Sequence, residues 1–275
     1  MLSLTLPQRG LRLKFVGSFS RGYQFHVGDY FPRAIKTICI ACVSVFFLQE
    51  VSQLIFHEAG RQFWLAWFGM VPYAVIHGLR IWQPFTYLFL HGGFWHIFFN
   101  LLYLAMFGAD LEKTWGSRKF YRYYFLCGIG AGLIDLLVRE MLVTAHFVSE
   151  RALADSTIGA SGAVYGILLA VAMIMPQRRV WLFPIPVTMP MWLVVTILGA
   201  LEFFSTIGDT GDGISHVCHL GGMLVGYLYL RRGSFLYNSR NFFSDWKRRR
   251  LRKKFDVYVR EHRDKPPSRP DSWIN

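Results

Sequence analysis

The sequence predicts an all-α, polytopic membrane protein with six transmembrane helices and a membrane-embedded external loop after the first. Three observations predict it. The 275 residues are 53% hydrophobic and only 17% charged, where a soluble domain carries about a quarter charged residues. Apolar runs of roughly 18 residues recur along the chain, the length that crosses a hydrocarbon core. Cations gather in alternate connections, the pattern the positive-inside rule gives a multi-span protein.

The spans fall near residues 34–56, 94–109, 120–141, 160–175, 190–207 and 215–230. The first lies behind a basic stretch holding Arg9, Arg12, Lys14 and Arg21, so it reads as a retained anchor rather than a cleaved signal. The connection 57–93 holds Trp64, Trp67, Phe68, Tyr73, Trp82 and Phe85, an aromatic density suited to the lipid interface. Lys113, Arg118, Lys119 and Arg122 follow the second span, Arg178 and Arg179 follow the fourth, and both ends of the chain are basic. The connection 208–213, with Asp209 and Asp212, carries only negative charge. Both termini are therefore expected in the cytoplasm, although Arg151 puts a cation outside.

The formal net charge is +13, and residues 231–275 hold 14 Lys/Arg against 5 Asp/Glu. Beside a final span, this tail and its Lys247-Arg248-Arg249-Arg250 run read as an interfacial partner for anionic lipid rather than nucleic acid. Cys39, Cys42, Cys127 and Cys218 all lie in apolar segments. Cys39 and Cys42 form a C-x-x-C without neighbouring ligands, so buried thiols are expected, with no zinc, no other cofactor and no disulfide.

Three constellations carry chemistry. Gly159-Ala160-Ser161-Gly162 opens the fourth span. From Ser161 to Pro176 the helix is roughly 23 Å long, short of a ~30 Å core, which sets the serine below the external surface. A polar helix start at that depth must be buried in protein or face water, and its orphan N–H groups are candidate oxyanion donors. In the sixth span, His219 is followed at +3 and +7 by Gly222 and Gly226. A histidine in a membrane helix is a functional candidate. Its glycine groove can meet that of Gly162 and Gly166 on the serine helix, close enough for Ser161 and His219 to share a hydrogen bond. In the second span His96 and Asn100 are four apart on one face; Asn100 is either an interhelical hydrogen-bonder or a donor to an oxyanion. Nucleophile, base and oxyanion donors are the parts of acyl transfer. No acid near His219 is evident, so a Ser161–His219 dyad is expected, with His216 a lesser candidate base. Asp135 and Glu202 fall inside spans near their external ends.

The combined pattern resembles the rhomboid family of intramembrane serine proteases. The matching pieces are Trp82-Gln83-Pro84-Phe85-Thr86 leading to His91, His96 and Asn100, then Gly159-Ala160-Ser161-Gly162, then His219, Gly222 and Gly226. The resemblance covers roughly residues 34–231, leaving 1–33 as a basic cytoplasmic segment and 232–275 as the basic tail. It implies Ser161 as nucleophile, His219 as general base and acid, and His96, Asn100 and the Ser161 backbone N–H as oxyanion hole. Tyr165 resembles the family's aromatic that stacks on the catalytic histidine. Leu111-Glu112 and Gly116 look like structural family positions, and Gln83 stands where many members have arginine. The implied activity is cleavage of transmembrane protein substrates near their external ends. The six-span form points to a bacterial inner membrane. The alternative is a catalytically silent relative that binds transmembrane clients. A transporter would require charges mid-membrane and two similar halves, and no repeat is visible.

Overall fold

Helix α1, Arg33–Phe68, begins after Pro32 with no side-chain cap of its own. Its orphan N–H groups are met from a distant part of the chain. Glu112 accepts the backbone N–H of Ala34 at 2.8 Å and of Ile35 at 3.0 Å. The carboxylate is buried and also accepts the Ser117 hydroxyl at 2.6 Å. A negative group at a helix N-terminus gains from the aligned backbone dipoles as well as from the hydrogen bonds. Glu112 thus ties three helices together at one end of the bundle.

The structure is a computed structural model that describes residues 32–181, 187–208 and 215–232. After α1 come two short helices, α2 (Pro72–Ile76) and α3 (Gln83–Thr86), and a 3-10 turn, Tyr87–Phe89. The long helices follow: α4 (Phe94–Trp115), α5 (Ser117–Thr144), α6 (Ser161–Ile174), α7 (Met191–Gly208) and α8 (residues 216–232). All six expected spans are helical. The basic segments at both termini, and Asp209 and Asp212 of the last connection, lie outside the described residues.

Three features differ from the sequence reading. The first span was expected to end at residue 56, and α1 continues to Phe68 across a break at His57, whose φ is 51°. The second span extends past residue 109 to Trp115, because its polar end is engaged: Glu112 caps α1, and Asp110 pairs with Arg178. The α6–α7 connection contains an antiparallel pair, Arg179–Trp181 with Thr188–Pro190, in the register Val180 opposite Met189.

The segment after α1 is held by side chains that reach back to the last carbonyls of that helix. Gln83 Nε2 donates to Ala66 O at 2.8 Å, Trp82 Nε1 to Trp67 O at 2.8 Å and Thr86 Oγ1 to Phe68 O at 2.8 Å. Gln83 is fully buried, and its Oε1 accepts the N–H of Val71. The Trp82-Gln83-x-x-Thr86 motif is therefore a C-terminal cap for α1, with Gln83 satisfied where it stands.

At the centre lies α6, whose Gly162, Ala163, Val164, Gly166, Ile167, Leu168, Ala170 and Val171 are all buried. It packs on α4, α5 and α7. Fourteen residues make it about 21 Å long, so it is an inner helix enclosed by its neighbours. The outer surface is apolar: Phe47, Leu54, Trp95, Leu137, Phe204 and Leu228 are each more than half exposed. A soluble protein does not present such a surface. By length and composition α1 and α4 can cross a bilayer alone, and α6 and α7 are shorter apolar helices.

Replacing Glu112 with alanine strands two buried N–H donors and a hydroxyl. Thermal unfolding in detergent is expected to show a loss of about 2–4 kcal/mol.

Candidate active site

Gly159 turns the chain into α6. Its φ is +119°, a conformation open to glycine and unfavourable for other residues. Its N–H is held by Tyr87 O at 2.9 Å. A Cβ at this position would stand 2.7 Å from His96 Nε2 and 3.8 Å from Ser161 Oγ. The glycine therefore clears one small space that both groups border. Ser161 is the first residue of α6, so the N–H groups of that turn have no preceding carbonyl to bond.

The approach of α6 and α8 is tighter still. A Cβ on Gly222 would lie 1.9 Å from Gly162 O, and one on Gly166 3.1 Å from Gly222 O. Gly226 faces α5 instead, where a Cβ would meet the Tyr123 hydroxyl at 2.4 Å. That hydroxyl donates to Gly166 O at 2.7 Å. Backbone contact of this kind brings His219 Nε2 to 2.7 Å from Ser161 Oγ. Tyr165 lies flat on the His219 ring, with centroids 4.3 Å apart and planes at 10°.

His96 and Asn100 sit one turn apart on α4. His96 Nδ1 accepts the Gly92 N–H at 3.3 Å, so the proton of the neutral ring resides on Nε2, the atom facing Gly159 and Ser161. Asn100 is buried and gives one amide hydrogen to His96 O at 2.9 Å, keeping the other.

The sequence reading found no acid near His219. The structure puts one there. Glu202 on α7 has Oε2 3.0 Å from His219 Nδ1 and 2.6 Å from His216 Nδ1. Its Oε1 accepts the Tyr165 hydroxyl. The His219 Nδ1 contact is a close charge approach rather than an aligned hydrogen bond, because the N–H points off the oxygen. The signal was present in the sequence. Asp135 has Arg139 four residues on, whereas α7 holds no cation for Glu202, and a carboxylate in an apolar helix needs a partner from another helix. Donor atoms of Glu202, His216 and His219 lie within 4.8 Å of one another, so the three can hold a divalent metal. The present separations are 2.6 and 3.0 Å. Tetrahedral zinc with ~2.0 Å bonds spreads its ligands to roughly 3.3 Å.

A second buried network stands behind the site. Asp135 accepts Thr157 Oγ1 at 2.8 Å and Ser215 Oγ at 2.7 Å, and pairs with Arg139 at 3.1 Å. It joins α5 to the segment before α6 and to the start of α8, the two strands of chain that deliver Ser161 and His219.

Fold and site together define a helical, polytopic membrane protein with a buried histidine in contact with a half-buried serine. Residues 78–233 match the rhomboid domain, and the chain belongs to the rhomboid family, integral membrane proteins that include serine proteases and inactive members. It is 28% identical over 141 residues to Rhomboid protein 1, mitochondrial, of Saccharomyces cerevisiae, covering 51% of this chain and 38% of that one. It is 25% identical to Rhomboid-like protease 3 of Toxoplasma gondii, covering 72% and 68%. It is 26% identical to Rhomboid protease GlpG of Salmonella choleraesuis, covering 69% and 59%.

Two outcomes follow from this geometry. Gly222→Ala forces α8 away from Gly162 and lengthens the Ser161–His219 contact. Labelling of Ser161 by a fluorophosphonate probe is expected to slow roughly a hundredfold, in a protein that remains folded. His91, outside the spans, is buried, with its ring edge-on to His96, and burial pushes it down to about 3. Between its ordinary 6.5 and about 3 the unfolded chain binds a proton that the folded one does not, so stability falls as pH falls through that window. His91→Gln is expected to flatten this part of the acid unfolding profile.

Proposed function

We propose that this protein is an intramembrane serine endopeptidase that cleaves transmembrane helices of other membrane proteins near their external ends. The observation that carries the reading is the 2.7 Å contact between His219 Nε2 and Ser161 Oγ, set by the close packing of α6 on α8. Ser161 Oγ attacks the scissile carbonyl carbon while its proton passes to Nε2. The carbonyl oxygen takes the negative charge beside the Ser161 N–H, the free amide hydrogen of Asn100 and the Nε2–H of His96. His219 then gives the proton to the leaving amine. In the second half His219 takes a proton from water, which attacks the acyl carbon, and returns it to Ser161 Oγ as the acid leaves.

The apolar outer surface of the bundle supports a membrane helix as the substrate. A helix has to unwind locally before its backbone can reach Ser161, and helix-breaking residues lower the cost of exposing backbone in lipid. Passage beside α7 fits its outward-facing Phe203, Phe204 and Ile207. The loop charges support cytoplasmic termini, and the six-span form supports a bacterial inner membrane. The basic tail supports contact with anionic lipid. A silent, client-binding role is disfavoured, since every residue of the pair is present and in contact.

The test is cleavage of a generic transmembrane reporter by purified protein in detergent. Wild type is expected to cut. Ser161→Ala and His219→Ala should each lose activity by roughly 10⁴-fold or more while staying folded. Undiminished cleavage by Ser161→Ala would overturn the reading.

A further inference from the structure

We propose that Glu202 is a positioning residue for His219, so that the Ser161–His219 pair works with the Glu202 carboxylate held behind it. This rests on the protease reading above and deepens it.

The placement of Glu202 is costly. It is the sole ionisable side chain in α7, and its side chain is 11% exposed. A carboxylate taken out of water needs nearly all of its hydrogen-bonding capacity filled. Among the described residues its partners come from the two helices that carry the site: Tyr165 from α6 and His216 from α8 by hydrogen bonds, and His219 from α8 by close approach. A residue needed only to join α7 to the bundle could be apolar and pack as well, because buried ion pairs are often matched by hydrophobic replacements.

The contacts fix His219 from two directions. At the ring edge, Oε2 stands 3.0 Å from Nδ1, off the line of its N–H, so the carboxylate charge favours a proton on that nitrogen while Nε2 faces Ser161 Oγ at 2.7 Å. At the ring face, Oε1 holds the hydroxyl of Tyr165, whose ring covers His219 at 4.3 Å. His216 Nδ1, at 2.6 Å on Oε2, keeps the carboxylate from swinging away.

The chemistry asks for this arrangement. When Ser161 forms its bond to the carbonyl carbon, its proton moves to Nε2 and the ring becomes a cation. That charge develops beside the Glu202 carboxylate, which stays ionised throughout and exchanges no proton. When the amine departs, it takes the proton from Nε2, and ring and carboxylate return to their starting state. In serine hydrolases generally, an acid behind the histidine acts through orientation and charge of this kind.

The experiment uses the full chain in detergent, with wild type, Glu202→Gln, Glu202→Asp and Tyr165→Phe. The readouts are kcat and KM on a transmembrane reporter, the rate of Ser161 labelling by a fluorophosphonate probe, and the thermal midpoint. Glu202→Gln keeps the shape and an acceptor for Tyr165 but removes the charge. It is expected to lower kcat and the labelling rate by roughly a hundredfold, with KM and midpoint little changed. Glu202→Asp should recover at least about tenfold of that loss, and Tyr165→Phe should lose less than Glu202→Gln. A Glu202→Gln enzyme within about twofold of wild type would overturn the proposal. So would equal losses in the Gln and Asp variants that track the midpoint, the mark of a structural role. A wild type that neither cleaves nor labels would instead remove the protease reading itself, and the role of Glu202 with it.

Discussion

The contact on which the site depends is that of two backbones: Gly162 carbonyl against Gly222, with no room for a single carbon between them. In lipid, helix association has little hydrophobic drive and relies on close packing. Small residues on both faces let α6 and α8 approach far enough for side chains as short as serine and histidine to meet. Ser161 stands at the head of that contact and His219 three residues before Gly222, so the 2.7 Å separation follows from the packing. Tyr123 and Cys127 of α5 close over the rest of the seam. The pair is held by the whole core and has little freedom to drift.

The same medium explains how the acids are used. Glu112, Asp135 and Glu202 are all buried, and each joins three parts of the chain. Glu112 binds the start of α1 to α4 and α5 at the end of α4 about 24 Å from His96. Asp135 binds α5 to the segments that lead into α6 and α8. Glu202 binds α7 to both site helices. A charge in an apolar surround has a large penalty when unpaired, so each acid holds its partners in place.

Much of this was legible in the sequence, and the limits have physical causes. The six helices appear because lipid demands long apolar runs, a coarse signal with a strong cause. Ser161, His219 and the glycines were legible because small residues at a spacing of four declare a close face. What failed to appear was long-range pairing. The end of α4 reads as a loop in Asp110 and Glu112 until Arg178, 68 residues on, and Ala34, 78 residues back, are known to be their partners. Glu202 and Tyr165 are 37 residues apart; no local pattern links them. The Trp82-Gln83 motif could be matched but not understood, since its bonds run 15 and 17 residues back to carbonyls that carry no sequence signature. The break at His57 lies in a run that composition alone continues.

The family includes silent members, and the features that would separate a cutting chain from a binding one here are those with a cost and no packing benefit. A helix bundle built only to hold a client has no need of a left-handed turn at Gly159, whose missing Cβ clears the space between His96 and Ser161. Nor does it need a histidine with its proton on the nitrogen facing that space, or an inner helix whose first turn leaves N–H groups unbonded in an apolar setting. Strained or unsatisfied groups persist where the surrounding structure holds them for a purpose. In this protein they converge within a few ångströms of one serine hydroxyl. The carboxylate of Glu202, 3.0 Å behind the histidine, belongs to the same set: it is expensive to bury and placed where an imidazolium would form.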